Sequence, residues 1–231
     1  MLDQASVVTR RKSQRRPQDP ERTRIAILEA AGALLARDGP EGLSVSQVAQ
    51  LAKVNRGTAY QHFQTREQLL AATTAWVSER LRQAVFGEDT STDPSMEPGG
   101  PQHVAGRMAE FAMENPELGR VWLFEVLSSS RPASDQFWND YRAHFERFAQ
   151  SDMAQPDIDA EVHSVMMLIS TFLWPVFGRA HARTAKERQQ MAKRYSHEML
   201  RLSLYGTMRP EKFPELDAKM RKAVGTRKRS G

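Results

Sequence analysis

Apolar positions recur along this chain at intervals of three and four residues, the period of an amphipathic helix, and no run alternates with period two as a half-buried strand would. The pattern predicts an all-α protein. "RTRIAILEAAGALLARDG" sets Ile27, Leu28, Ala31, Leu34 and Leu35 along one face, a first helix over about Pro20 to Arg37 that Gly39 closes. In "LSVSQVAQLAKV", Ser44 and Gln47 have the spacing of a capping box, and Leu43 and Val48 that of a hydrophobic staple. A second helix therefore starts at Ser44 and buries Val45, Val48, Ala49 and Ala52. Asn55 is a strong N-cap that restarts the chain as a short third helix after a tight turn. Thr65 with Gln68 predicts another capping box, at the head of a fourth helix. After Gly87, "GEDTSTDPSMEPGGP" holds too little apolar surface to fold and reads as a long surface loop between a head and a body. Helical patterns resume over Gln102 to Glu114, Pro116 to Ser129, Ala133 to Met153, Asp157 to Arg183 and Ala185 to Tyr205.

The third helix is the odd one. On a helix started at Asn55, only Ala59 and Phe63 share an inward stripe, while Gly57 and Gln61 point the opposite way, flanked by Thr58 and Tyr60. Charge singles out the same end of the chain. Residues 1 to 66 carry 11 Lys/Arg against 6 Asp/Glu, whereas residues 67 to 231 carry 22 against 22, so the whole net charge of +5 lies with the head. Lys219 to Arg229 holds six basic residues and no acid and reads as a solvated tail, which leaves residues 67 to 218 at 16 against 22. A basic head on an acidic body points to a polyanionic partner.

Two short helices joined by a tight turn and backed by a third form a helix-turn-helix unit, whose second helix can enter the major groove of DNA. The outer face of the third helix then has a use. Arg56, Thr58 and Gln61 offer donors to base edges, Tyr60 and His62 to phosphates, and Gly57 lets the backbone approach the duplex. The helix N-termini at Ser44, Asn55 and Thr65 aim backbone N–H groups at phosphate oxygens, and Lys53 and Arg66 bracket the helix as phosphate partners. Arg10 to Arg16, in a flexible arm, are expected to add phosphate or minor-groove contacts.

The stretch "RTRIAILEAAGALLARDGPEGLSVSQVAQLAKVNRGTAYQHFQTREQLL" resembles the DNA-binding domain of the TetR (tetracycline repressor) family. Its most specific part runs from Val54 to Leu69, with a Tyr-x-His-Phe ending and an Arg-Glu start to the next helix. Residue by residue, the resemblance places DNA contact on Ser44, Ser46, Asn55, Arg56, Gly57, Thr58, Tyr60, Gln61, His62 and Arg66. Lys53 stands where the family often has Gly, a departure that carries strain if its φ is positive; Asn55 replaces a common Ser and Ala59 a common Leu. The resemblance implies a homodimeric, ligand-responsive transcription regulator, a repressor, bound to a palindromic operator and released by a small-molecule effector. The domains then read as a flexible basic arm (1–19), a helix-turn-helix DNA-binding domain (20–66), a helical effector-binding and dimerisation domain (67–207) and a basic tail (208–231).

In the body, Trp122, Phe124, Phe137, Trp138, Tyr141, Phe145, Met166, Met167 and Trp174 would suit an apolar or planar ligand, though each serves equally as core. Glu125, in a helix apolar on most sides, would meet a cationic or hydroxylated ligand or pair with an Arg, and the Arg pairing is the favoured expectation. Pro175 is expected to kink its helix. Val165, Ile169, Phe172 and Val176 on one helix, and Met191, Tyr195, Met199 and Leu202 on the next, form stripes fit for a four-helix dimer interface or for an internal core. Two further readings stay open. An architectural protein would bind DNA through its basic ends alone. A helical enzyme has little support, since the histidines lack metal-ligand spacing, the acids of "DIDAEVH" splay to different faces, and no phosphate loop, nucleophile elbow or cofactor signature occurs. The absence of Cys removes thiolate chemistry; with no apolar leader and no apolar run of bilayer length, a cytoplasmic chain without membrane contact is expected.

Overall fold

The computed structural model describes residues 19–87, 101–130 and 132–227. The Arg10 to Arg16 arm, most of the Gly87 to Pro101 loop and the last four residues of the tail lie outside the described residues. Helices account for the architecture: α1 (Pro20–Asp38), α2 (Val45–Leu51), α3 (Arg56–His62), α4 (Arg66–Phe86), α5 (Pro101–Glu114), α6 (Pro116–Ser128), α7 (Gln136–Ala149), α8 (Ala160–His181), α9 (Ala185–Gly206) and α10 (Pro214–Arg227). Among the described residues, extended pairing is limited to an isolated bridge between Ala154 and Met208.

Local chemistry sets the head. Asp19 caps α1 by accepting from the Glu21 N–H (3.1 Å), and Gly39 closes it at φ 73°, a left-handed conformation that costs glycine little. Ile27, Leu28, Leu34 and Leu35 of α1 close on Val48, Ala49, Ala59 and Phe63 in one apolar cluster. Leu69 belongs to it as well, so the head's core reaches past residue 66 into α4. Trp76, about two turns further along, packs against both this cluster and the core of the body.

The body gathers α4 to α8 around Trp122, Phe137, Tyr141, Leu168 and Phe172. Trp122 meets Phe137 and Phe172 edge-on, with ring centroids 5.3 and 5.4 Å apart, the arrangement that aromatic quadrupoles favour. Its indole N–H donates to Asp135 Oδ2 (3.0 Å), while Asp135 Oδ1 accepts from the Ser78 hydroxyl (2.9 Å) and caps α7 through the Trp138 N–H (2.9 Å). One carboxylate thus ties α4, α6 and α7 together. Helix α6 approaches its neighbours through missing side chains: a Cβ on Gly119 would lie 2.5 Å from the Phe172 ring of α8, and one on Gly32 of α1 would lie 2.7 Å from Leu118.

Several sequence expectations shift. The Ala133 to Met153 block is shorter than its apolar pattern, because Asp135 caps it late and the chain leaves the helix at Gln150. Asp159, one of the acids of "DIDAEVH", is the cap of α8 and accepts from the Val162 N–H (2.9 Å). The reciprocal capping box with both arms formed lies at Thr184 and Glu187. At Ser44 the Gln47 amide takes the Ser44 hydroxyl (3.0 Å) instead of the backbone N–H, and at Thr65 the Gln68 amide reaches back to the Gln64 N–H (3.0 Å). The basic tail is in large part an element: α10 buries Leu216 and Met220 against Leu200, Leu204 and Met208. Charge hid this, since Lys219, Arg221 and Lys222 lie among the two apolar residues that share a face at i, i+4. By length and composition Ala160–Gly178 of α8 would also suffice to cross a membrane, with a mean hydropathy of 1.4. Its Leu168 and Phe172 are fully enclosed by the body's core, which accounts for part of that apolarity, while Val162, Met166, Ile169, Leu173 and Val176 are exposed. The helix runs on through Pro175 to His181.

Candidate nucleic-acid interface

The turn between α2 and α3 is built from backbone as much as side chain. Lys53 has φ 57°. Its N–H donates to the Gln50 carbonyl (3.2 Å) and the Val54 N–H to the Ala49 carbonyl (3.0 Å), the paired bonds of a Schellman ending. The expected strain is therefore present, in a position where Gly would bear it at lower cost. Asn55 Oδ1 then accepts from the Gly57 N–H (2.8 Å) and starts α3. From there the helix buries Ala59 entirely and Phe63 nearly so, while Asn55, Arg56, Gly57, Tyr60 and Gln61 stand exposed. Thr58 and His62 are half-buried at the flanks.

Side chains lock the two short helices together at the surface. The Tyr60 hydroxyl of α3 lies 3.4 Å from Ser46 Oγ of α2, and the Arg56 guanidinium covers the Tyr60 ring at 5.6 Å from its centroid. The hydrogen bond with Ser46, and then Arg56, hold the Tyr60 phenol below its ordinary pKa. Ser44 is committed internally, accepting from the Gln47 N–H (3.2 Å) and donating to the Gln47 side chain. Arg66 has a structural partner: its guanidinium donates to the Pro40 carbonyl (2.5 Å) in the 3-10 turn Pro40–Gly42, so it is half-buried and pins the α1–α2 corner to α4. Sequence spacing did not reveal that bond, which spans 26 residues. Nor did it reveal Arg24 of α1, whose guanidinium sits 5.0 Å from the Phe63 ring centroid and places a further cation beside the end of α3.

The body's candidates separate into groups. Trp122, Phe137, Trp138 and Tyr141 are core, whereas Phe124 and Met166 are exposed. Trp174 packs with Tyr195 in a satellite cluster. Glu125 lines a shallow groove with Thr74, Ser134 and Asp135, and among the described residues it makes no ion pair. Tyr141, Phe145 and Met167 do meet, at a narrow cavity of about 50 Å³ between α5, α7, α8 and α9. His144, His163, Ser203 and Thr207 complete its polar lining, residues for which the sequence carried no signal beyond their type. Burial keeps His144 and His163 below the usual imidazole range, Arg147 adding to the effect on His144.

The stripe proposed for dimerisation also divides. Val162, Met166, Ile169, Leu173 and Val176 of α8 are exposed at spacings of four and three residues, and Leu202 of α9 is half exposed. Phe172 and Tyr195 are buried, and Val165 packs against the body's core. Met191 and Met199 pack in the cluster around Tyr195.

The family model described as "Bacterial regulatory proteins, tetR family" matches residues 27–73. Over 84 residues, 36% of this chain, the sequence is 34% identical to the HTH-type transcriptional regulator Mb3439c of Mycobacterium bovis, and the match covers 45% of that protein. The same figures hold for the HTH-type transcriptional repressor Rv3405c of Mycobacterium tuberculosis. The chain thus spans about half the length of the curated relatives it matches. The fold is similar to that of AibR, solved with isovaleryl coenzyme A and operator DNA (TM-score 0.59, 20% identity, 77% of this chain and 97% of that one). It is similar also to that of a gamma-butyrolactone receptor, an ArpA-like protein (TM-score 0.56, 22% identity, 88% of this chain and 98% of that one). From α1 into α4 the head thus matches the tetR family of bacterial regulatory proteins, and over those residues the chain is similar to its helix-turn-helix domain.

Proposed function

We propose that the chain is a ligand-responsive transcriptional regulator, a repressor, that binds a palindromic operator as a homodimer and leaves it when a small-molecule effector binds the body. The observation that carries this reading is α3 itself: a helix that buries only Ala59 of its length, with Phe63 at its end, and holds Arg56, Gly57, Tyr60 and Gln61 outward on a capped, cross-braced frame. Such a face presents donors at the geometry of base edges, with helix N-termini and Lys53 beside it for phosphates. One relative is named a repressor, and one solved structure of similar fold holds operator DNA and a small molecule, which supports the repressor and effector parts. The exposed α8 seam supports the dimer, since an apolar stripe of that period needs a partner helix and a two-fold pair would present two copies of α3 to half-sites about one helical turn apart.

Selection of random duplex DNA by the purified chain at near-physiological salt tests the reading. An enriched palindrome is the expected result, with Gln61→Ala relaxing preference at one position of each half-site by about 1–3 kcal/mol. Recovery of unrelated sequences, bound only at low salt, would favour the architectural alternative, in which α3 carries charge and no readout.

A further inference from the structure

The cavity between α5, α7, α8 and α9 holds a polar atom with no partner: His163 Nε2 is buried and accepts or donates no hydrogen bond. Buried polar atoms are nearly always paired, so an unpaired one on a residue that lines a largely apolar space asks what pairs it. Phe145 stands between His163 and His144, its ring centroid 4.9 Å from the first and 6.0 Å from the second, and Met167 and Leu200 form much of the remaining wall. No Arg, Lys, Asp or Glu lines the space, so a charged ligand would find no counter-ion there. Burial disfavours the charged form of both imidazoles, and Arg147 beside His144 opposes protonation further.

The cavity is also closed down. About 50 Å³ is roughly a third of the ~150 Å³ that admits benzene, so a ligand has to part the walls. Phe148, Leu200 and Met208 line the cavity on one side and on the other pack against Leu216 and Met220 of α10, a small cluster separate from the main core.

We infer that this cavity takes an uncharged, largely apolar small molecule carrying one hydroxyl group, with the hydroxyl on His163 Nε2. A hydroxyl both donates and accepts, and so it satisfies that nitrogen in either imidazole tautomer. The inference deepens the effector reading above and takes its regulatory meaning from it. The site belongs to no position the sequence singled out for polar recognition; Glu125, the candidate it did offer, lies on another face.

Calorimetric titration of the full chain, without DNA, with 4-propylphenol, propylbenzene and 4-propylbenzoate provides the test. The phenol is expected to bind about tenfold more tightly than propylbenzene, and the benzoate more weakly than either. His163→Leu should erase the phenol's advantage while leaving propylbenzene bound and thermal stability no lower than before, since it removes an unpaired polar atom. Met167→Trp, which fills the space, should remove all binding. A benzoate that binds as well as the phenol, a phenol preference that survives His163→Leu, or no heat from either neutral probe would overturn the proposal. Because DNA is absent, its failure is separable from that of the regulator reading: operator selection alone decides the latter.

Discussion

Lys53 sits at φ 57° in the turn that orients α3, and a β-carbon there meets the following carbonyl, a conformation Gly adopts freely. Lys53→Gly is therefore expected to raise stability by about 0.5–1 kcal/mol, seen as a higher urea midpoint at unchanged m, even as it removes an exposed cation from the proposed DNA face. Seven residues on, Tyr60 gives the head an optical handle. Of the four tyrosines, Tyr141 and Tyr195 are pushed up by burial and Tyr205 by its hydrogen bond to Asp217, whereas Ser46 and Arg56 draw Tyr60 down. Alkaline titration followed by phenolate absorbance should show Tyr60 ionising first, and Tyr60→Phe should delete that earliest step; an unchanged first step would mean that the Ser46 contact is not kept in solution. Residue roles fixed within a few positions were legible beforehand: the caps at Ser44, Asn55 and Thr65, and the possible strain at Lys53. Arg66 was not, because its partner Pro40 is brought to it only by the packing of α1 on α4.

At the scale of elements, α6 lies close against its neighbours where a side chain is missing. Gly119 lets it lie on Phe172, a ring that is fully buried and has no room to turn aside. Gly119→Ala should cost about 1–3 kcal/mol in chemical denaturation, as overpacking against a rigid ring does, while Ala at Gly206, where nothing lies within 4 Å, should cost none of that. Helix periodicity located α1 to α9 but could not orient α8. That helix is apolar on two faces, so the stripe read from the sequence grouped the buried Phe172 with the exposed Ile169 and Val176; the aromatic pair with Trp122 decides that Phe172 turns in, while Leu173 stays out. For α10 the signal was present in Leu216 and Met220 and was outweighed by the surrounding charge.

For the whole molecule, the exposed α8 stripe is the feature with the largest consequence for assembly. Met166, 63% exposed at its middle, touches no core, so Met166→Lys should leave thermal unfolding of the fold nearly unchanged yet shift sedimentation from dimer to monomer. Phe172→Ala, beside the stripe but turned into the core, should instead cost about 3–5 kcal/mol of stability. If Met166→Lys sediments like the parent chain, the stripe is not the contact between copies.

The bond from Arg66 to Pro40 fastens the start of α4 to the corner from which α2 departs, and Trp76 seats the same helix in the body. Mechanically, α4 is a lever with a fixed grip at one end. With 21 residues it is about 31 Å long, so a tilt of about 5° about its body end carries the gripped corner through ~2.7 Å, close to the ~3.4 Å rise between successive nucleotides of one DNA strand. A small angular change in the body is thus large enough, at the far end, to put the proposed DNA face of α3 out of step with successive bases.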